Sequence, residues 1–392
     1  MDLNYLFAPE APPAESIKFA GSVVSDGRMF RYDFDSAEQS PVAMLEDKFS
    51  ERIGKKYALA VNSCGSALQI ALLAAGVIPG EPILVPAFTF TAVISAIINC
   101  GCTPVLVDIE DNYCISLSDL KKKHKKNIRF LLLSYMRGRV SRLDEIINFC
   151  QSRGIEIIED CAHSLGSSWD NRPTGDFGVV SCFSFHDKLL SAGEGGMLLT
   201  DSPKVIMKAT VLSGTYEDLW KFHLSRPEAE NVYQGQLPQF SMRMSAVTAA
   251  ILLPQIDFID IFSTHYRHLY KLLSGVLRIS PKIKLPIINN RAKLVCNSVQ
   301  FAIPSLADDK TEKFMELLHN SGIPMNKLGL NDRNERCFWN WHYLAKDMRE
   351  YVPVSYTLLQ KTFDMKLRRR MTESDIVRIG GVILDALSTV SE

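Results

Sequence analysis

No charge of either sign dominates the 392-residue sequence, because lysine plus arginine and aspartate plus glutamate number 44 each. The basic excess of a nucleic-acid-binding surface is therefore missing. The nine cysteines form no C-x-x-C pair and no zinc-ligand spacing, which argues against a disulfide framework and against a metal site. We expect reduced cysteines that are mostly buried as small apolar side chains.

Long apolar runs are also missing from the sequence. No uninterrupted apolar stretch reaches the ~20 residues that a membrane-spanning helix needs. The first residues, MDLNYLFAPEAPP, lack the basic region and the apolar run of a signal peptide. From these absences we expect a cytoplasmic protein that binds neither nucleic acid nor membrane.

Helical and strand patterns alternate from about Ala43 onwards. Helix PVAMLEDKFSERIG precedes strand YALAVN, helix SALQIALLAAG and strand PILVPA, and the alternation continues to strand IEIIED. Apolar strands separated by helices predict an α/β fold with a mostly parallel sheet covered on both faces. A long helix near Ser245–Phe262 precedes a change of pattern. Since one core rarely exceeds roughly 250–300 residues, we predict a large domain over 1–255 and a smaller C-terminal α/β domain over 256–392.

A carboxylate and a lysine follow two of the predicted strands. Asp160 ends strand IEIIED, and ligands of α/β proteins bind outside the carboxyl ends of parallel strands. Lys188 follows the strand near Val179–Phe185 and precedes a glycine-rich turn. A pyridoxal phosphate site needs an amine that forms a Schiff base and an acid that keeps the pyridine nitrogen protonated. An ordinary surface lysine is the alternative interpretation of Lys188.

A candidate phosphate site lies upstream, where VNSCGSALQIAL runs from a strand through small residues into a helix. The backbone N–H groups of Cys64, Gly65 and Ser66 open this helix, and a helix N-terminus is a ready anion site. Ser184, near the end of its strand, offers a hydroxyl to the same phosphate, and Phe90 is placed to stack on a flat ring. The simpler interpretations are that Gly65 only permits a tight turn and that Phe90 is a core aromatic.

On these motifs the sequence resembles the DegT/DnrJ/EryC1/StrS sugar aminotransferases over nearly its whole length, which implies the pyridoxal-phosphate-dependent transferase fold of type I. NSCGSALQIALLAAGVIPGEPILVPAFTFTAVISAI resembles the phosphate turn and stacking aromatic, EDCAHSLGS the pyridine-nitrogen Asp, and SFHDKLLSAGEGG the Schiff-base lysine segment. FSMRMSAVTAAILLPQI is similar to an Arg-Met element near the dimer interface. FRYDFD and CFWNWHYL most resemble 8-amino-3,8-dideoxy-octulosonate transaminases, which act on a 2-keto sugar acid of lipopolysaccharide.

The resemblance implies a role for each matching residue. Lys188 would be the Schiff-base lysine and proton shuttle, Asp160 the partner of the pyridine nitrogen, and His163 a contact near the ring hydroxyl. The remaining cofactor contacts would be Phe90 on the ring, Cys64, Gly65 and Ser184 on the phosphate, and Ser241 from the neighbouring subunit. The implied protein is a homodimer that does not work as a monomer.

Two departures from the family pattern stand out. Only three residues separate Ser184 from Lys188, where the family has four. Ser241 stands where the family carries Asn, at the position that reaches the partner's phosphate. The short loop bears on the exact position of the lysine, and Ser241 bears on how firmly the phosphate is held.

These roles predict an aminotransferase that moves an amino group from an amino acid, glutamate or glutamine, to the carbonyl of a sugar or sugar-acid-like substrate. A lyase or sugar dehydratase of the same fold is the first alternative. Such dehydratases commonly replace the lysine by His, and His186 beside the short loop keeps that possibility open. A catalytically inactive pyridoxal-phosphate-binding homologue is the second.

Substrate contacts are predicted in the segment FWNWHYL and beside the lysine. His342, Asn340 and the neighbouring aromatics form a polar-aromatic cluster that suits a small-domain loop facing the cofactor. His186 is a third candidate for the substrate. The alternatives are an aromatic surface plug with a satisfied histidine for His342 and a packed strand-end histidine for His186.

Overall fold

The computed structural model describes residues 2–225, 233–344 and 346–391. The helices are α1 (Ala14–Asp26), α2 (Pro41–Ile53), α3 (Cys64–Ala75), α4 (Thr91–Asn99), α5 (Leu117–Lys123), α6 (Leu143–Arg153), α7 (Pro203–Leu212), α8 (Ala246–Leu252), α9 (Ile259–Leu277), α10 (Asp308–Asn320), α11 (Pro353–Gln360) and α12 (Glu373–Ser391). The strands are β1 (Tyr57–Val61), β2 (Pro82–Pro86), β3 (Thr103–Val107), β4 (Phe130–Ser134), β5 (Glu156–Asp160), β6 (Ser168–Trp169), β7 (Arg172–Pro173), β8 (Val180–Ser184), β9 (Gly196–Thr200), β10 (Ala292–Lys293), β11 (Ser298–Ala302), β12 (Asn326–Lys327) and β13 (Thr362–Lys366).

The main sheet has seven strands in the order β1-β9-β8-β5-β4-β2-β3. β9 runs antiparallel to both neighbours, and the run from β8 to β3 is parallel. Along β1, Ala58 and Ala60 pack into the core shared with α2, whereas Leu59 and Val61 pack into the core shared with α3. Both faces of the sheet are therefore covered, which explains its continuously apolar strands.

Side-chain caps and left-handed glycines bound the helices that position the site. Ser63 caps α3, because its hydroxyl accepts a hydrogen bond from the backbone N–H of Ser66 at 3.1 Å. Gly154 ends α6 with a φ of 66°, as the sequence predicts. These ends fix where α3 begins and where β5 starts.

The C-terminal part of the chain builds a smaller sheet. β11, β13 and β12 form a three-stranded antiparallel sheet. α9 packs on α12, and α12 packs on α10. A third sheet pairs β10 with β6 and so ties residues 292–293 to residues 168–169. The division into domains at residue 255 stays a prediction.

The long helix predicted over Ser245–Phe262 is interrupted. α8 ends at Leu252, a 3-10 turn covers Leu253–Phe258, and α9 begins at Ile259. Pro254 explains the break, because it has no N–H to donate and its ring clashes with the preceding helical turn.

The helical run Ala246–Leu277 has the length and composition of a membrane-crossing helix, and half of its most apolar window is buried inside the protein. A core helix meets the same criterion, so the run is only a weak indication of a membrane span. All nine cysteines are free, and only Cys114 is not fully buried, as expected for small apolar side chains.

Candidate active site

The carboxyl ends of β4, β5 and β8 converge with the N-terminus of α3 on a cavity of about 410 Å³. Its lining includes most of the predicted site residues, namely Cys64, Gly65, Asp160, His163, Ser184 and Lys188. Phe90 and His186 line the same cavity. The structure thus brings together predicted residues that lie up to 124 positions apart in the chain, from Cys64 to Lys188.

Asp160 is a buried carboxylate with a fixed orientation. Its Oδ2 accepts a hydrogen bond of 2.6 Å from the Ser134 hydroxyl, and its Oδ1 accepts one of 3.1 Å from the backbone N–H of Ala162. The Ser134 oxygen in turn accepts a hydrogen bond from Thr89. Burial raises the pKa of Asp160, and the hydrogen bonds from Ser134 and Ala162 act against this rise. A cationic partner in the cavity would therefore be stabilised here.

Lys188 lies beside His163, with 3.2 Å between Nζ and the Nε2 of the imidazole. Burial, together with the charges of Arg137 and Lys366, lowers the pKa of Lys188 to about 7. The pKa of His163 is also lowered, first by burial and then by Lys188. A lysine with such a pKa is a nucleophile near neutral pH.

The N-terminus of α3 is open toward the cavity. Cys64 and Gly65 begin the helix, and the N–H of Ser66 is already bonded to Ser63. A Cβ at Gly65 would meet nothing closer than the Ser63 hydroxyl at 3.8 Å. The protein itself therefore leaves room at this position, as a bound phosphate requires.

Gly196 holds the turn after the lysine against this helix end. A Cβ there would lie 2.4 Å from the carbonyl oxygen of Ser63 and 2.6 Å from the nitrogen of Cys64. Only glycine allows this approach, which accounts for part of the glycine-rich segment recognised in the sequence.

The short loop before Lys188 is tied to the end of β13 and to the segment just after it. Asp187 adopts a left-handed backbone conformation, with φ of 47°. Its carboxylate accepts hydrogen bonds from Lys366 and Arg368. Burial raises the pKa of this carboxyl, but these hydrogen bonds outweigh the burial and bring it to about 2. His186, by contrast, is exposed, with its Nδ1 2.7 Å from the oxygen of Gly193.

Four predicted residues do not line the cavity within this chain. One of them, Ser66, uses its N–H in the cap of α3. Ser241 is exposed and accepts a hydrogen bond from Arg243. The amide of Asn340 donates to the backbone oxygens of Asn331 and Asn334, and so braces its own loop. His342 is exposed, and among the described residues it does not contribute to the lining. The predicted substrate roles of Asn340 and His342, and the partner-subunit role of Ser241, stay predictions.

Three cationic residues that the sequence analysis missed also line the cavity, Arg137, Arg336 and Lys366. Arg137 follows the end of β4, and its place after a buried strand was a usable signal. Arg336 lies in a loop and Lys366 ends β13, a strand whose mixed sequence TFDMK gave no clear alternation.

The residues present fit pyridoxal phosphate. A buried carboxylate ends β5, a lysine of lowered pKa faces the same cavity, and the α3 N-terminus leaves space beside Gly65. Phe90 is 40% exposed where it borders the cavity, which leaves its ring surface available for stacking.

Known proteins resemble this chain in sequence. A sequence model of the DegT/DnrJ/EryC1/StrS aminotransferase family matches residues 37–383. GDP-perosamine synthase of Vibrio cholerae is 30% identical over 218 residues, covering 55% of this chain and 57% of the relative. L-glutamine:scyllo-inosose aminotransferase of Streptomyces griseus is 28% identical over 251 residues, covering 64% and 59%. The chain thus spans little more than half the length of the curated relatives that it matches.

Solved structures resemble it over almost the whole chain. An aminotransferase from Psychrobacter cryohalolentis matches with a TM-score of 0.86 at 16% identity, over 98% of this chain and 100% of that chain. 3-Amino-5-hydroxybenzoic acid synthase matches with a TM-score of 0.83 at 21% identity, over 97% and 98%. At these identities the likeness is one of fold, and it confirms the predicted type I transferase fold.

Family members are aminotransferases that use pyridoxal phosphate. Since the family model covers residues 37–383, the chain belongs to the DegT/DnrJ/EryC1/StrS aminotransferase family, as its motifs predicted.

Proposed function

We propose that this protein is a pyridoxal-phosphate-dependent aminotransferase that carries an amino group from glutamate or glutamine to the carbonyl of a sugar or sugar-acid-like substrate. The observation that carries the proposal is the pairing, in one cavity, of Lys188 with its lowered pKa and the buried Asp160. The names of the relatives, a perosamine synthase and an inosose aminotransferase, support a sugar-like acceptor.

Bound pyridoxal phosphate supplies the carbonyl that takes up the amino group and an electron-poor ring that withdraws charge from the reacting carbon. Asp160 holds a proton on the ring nitrogen by accepting a charge-assisted hydrogen bond. Ser134 and Ala162 keep the carboxylate oriented for this contact, since both donate hydrogen bonds to it. Burial strengthens the interaction because the surrounding dielectric is low.

Lys188 has two tasks in this proposal: it binds the cofactor, and once released it moves a proton to and from the reacting carbon. A pKa of about 7 suits both, because such an amine gains and loses its proton near neutral pH. His163, 3.2 Å from the amine, limits where the lysine can swing.

Cys64, Gly65 and Ser184 hold the cofactor phosphate, and Phe90 covers the ring. The helix N-terminus supplies backbone N–H donors and a favourable dipole. Ser66 contributes indirectly, because its N–H is bonded to Ser63 and completes the cap of the same helix. Ser241 reaches the phosphate of the partner subunit in a cytoplasmic homodimer.

A dehydratase is the second candidate function, favoured by His186 on the lining of the same cavity. The presence of Lys188 at the site opposes it, since the lysine provides the proton transfer of transamination. A catalytically inactive homologue would keep the cofactor contacts but release no product.

The test is to incubate the cofactor-loaded protein with a panel of amino acids. We expect glutamate or glutamine to convert the bound pyridoxal form to the pyridoxamine form, with one equivalent of keto acid released per site. The Lys188→Ala variant is the control for uncatalysed exchange. If no amino acid releases a keto acid, the aminotransferase proposal is wrong.

A further inference from the structure

Cationic side chains outnumber the carboxylates that pair with them where two cavities meet at Lys188. The cations are Arg137, Arg336, Lys366 and Arg368. Asp364 pairs with the first of them, and Asp187 pairs with the last two. Glu194 and Glu10, which also line these cavities, lie against His186 and Arg369 instead. Arg336 is therefore the member of this set that lies in no ion pair with a described carboxylate.

Arg137 is held in place with an unused donor. Arg137 is only 4% exposed, and its Nη2 donates a hydrogen bond to Asp364. Its Nε is buried and has no hydrogen-bond partner among the described residues. The backbone of Arg137 is left-handed, with φ of 59°. Gly138 fixes this turn, since a Cβ there would lie 2.7 Å from the oxygen of His163. Strain and an unsatisfied donor together mark positions that serve a ligand.

Arg336, from the C-terminal half of the chain, lines the same cavity as Arg137. Within residues 2–225, 233–344 and 346–391 it forms no ion pair, although it is partly buried. Its pKa is lowered, first by burial and then by the charge of Arg137. A partly buried guanidinium group that lies in no ion pair, with a second guanidinium group lining the same cavity, attracts an anion.

The cofactor phosphate does not account for these cations. Ser184 ends β8, Asp160 ends β5, and Arg137 follows β4, in that order across the sheet. The proposed ring-nitrogen partner thus lies between the phosphate hydroxyl and Arg137, with adjacent strands about 4.8 Å apart. The anion that Arg137 and Arg336 attract must come from a substrate.

We propose that Arg137 and Arg336 together bind the carboxylate of the amino-group acceptor, so that the acceptor is an acidic carbonyl compound such as a sugar acid. This inference rests on the proposed aminotransferase function. Donor and acceptor occupy the same cavity in turn, and the donor always brings a carboxylate. A neutral acceptor in the same space would leave Arg336 without an anionic partner and the Nε of Arg137 without a hydrogen-bond acceptor, which is costly. An acidic acceptor meets the same requirement as the donor.

The test compares two non-reacting ligands that differ only in charge. D-Gluconate and sorbitol are both six-carbon polyols, but only gluconate has a carboxylate. We expect titration calorimetry on the cofactor-loaded protein to detect gluconate binding that weakens with salt, and little sorbitol binding. Arg336→Gln should weaken gluconate binding by about tenfold or more, since charged hydrogen bonds contribute on that order. Arg336→Lys should restore part of the affinity.

Arg333→Gln is the matched control, because Arg333 is an exposed arginine in the same loop and should leave gluconate affinity unchanged. Equal binding of gluconate and sorbitol, or gluconate affinity that ignores Arg336→Gln, would overturn the inference. So would tighter, Arg336-dependent binding of glucose 1-phosphate, which would assign the site to a phosphate. Release of keto acid from glutamate by the unaltered protein tests the aminotransferase function separately, so the two failures are distinguishable.

Discussion

At the scale of single residues, the chemistry is concentrated in two groups whose environments move their pKa values toward each other. Asp160 is a carboxyl whose pKa is raised by burial, and Lys188 is an amine whose pKa is lowered by burial. The same cavity wall produces both shifts, because a low dielectric disfavours either charge alone. A cationic partner at Asp160 and a covalent partner at Lys188 would therefore each be stabilised.

Asp160→Asn keeps the shape of the side chain but removes its charge. We expect the turnover rate to fall by at least roughly 10²-fold, about 2.7 kcal/mol of transition-state stabilisation, because the ring nitrogen loses its proton. Steady-state kinetics measure the fall. Asp309→Asn, the same change at an exposed position in α10, is the control. Near-normal turnover in Asp160→Asn would show that another group serves the ring.

The pKa of Lys188 predicts a pH profile for cofactor uptake. The neutral amine is the reactive form, so uptake by cofactor-free protein should rise with pH and level off above about pH 8, since the pKa is about 7. Stopped-flow absorbance measures it, with Lys188→Arg as background. A rate that keeps climbing to pH 10 would indicate an ordinary lysine.

The same shift links Lys188 to stability. The pKa falls from 10.5 to about 7 on folding, so between these values the unfolded chain binds more protons at this group than the folded chain. The free energy of unfolding of the cofactor-free protein should therefore gain a contribution that rises with pH across that window. Lys188→Met, which removes the titrating amine, should flatten this part of the stability profile in denaturant titrations from pH 7 to 10.

At the scale of elements, the N-terminus of α3 and the turn before β9 form one unit. Gly196 allows the two backbones to touch, while Gly65 has open space beside it. A side chain is therefore excluded by the neighbouring backbone at Gly196 but not at Gly65. Gly196 is required by the fold, and we propose that Gly65 is required by the phosphate that binds beside it.

Gly65→Ala separates binding from folding. Alanine favours a helix over glycine by about 1 kcal/mol, and its Cβ meets no protein atom closer than 3.8 Å, so the variant should fold at least as stably. Pyridoxal phosphate affinity should nevertheless fall by about tenfold, or 1.4 kcal/mol, as measured by equilibrium dialysis. Gly381→Ala in α12, where a Cβ meets nothing within 4 Å, is the control. Unchanged affinity in Gly65→Ala would remove this turn from the phosphate site.

At the scale of the whole molecule, the cavity is built from both ends of the chain. Arg137 after β4 pairs with Asp364 in β13, and Asp187 pairs with Lys366 and Arg368. The smaller sheet therefore fixes the loop that carries Lys188. We propose that these contacts, rather than the length of the loop alone, set the position of Lys188.

The elements that local sequence patterns encode were predicted correctly from the sequence. The strand that ends at Asp160, the strand before Ser184 and the helix that begins near Cys64 were visible from periodicity and small-residue turns. The family and the fold followed from these motifs and are confirmed. The helix α1 and the strand β13 were not predicted. Because β13 was not predicted, neither were the position of Lys366 in the cavity and its ion pair with Asp187. Such contacts join residues about 180 positions apart and leave no trace in local spacing.

The proposed function depends most directly on a covalent bond between Lys188 and the cofactor. Borohydride reduction of the loaded protein makes the bond between pyridoxal phosphate and its lysine permanent, and peptide mass mapping then locates it. We expect one label per chain, on Lys188, which disappears in Lys188→Arg while Lys366, in the same cavity, stays unlabelled. A label on Lys366 or on any other lysine, or no label at all, would show that Lys188 does not carry the cofactor.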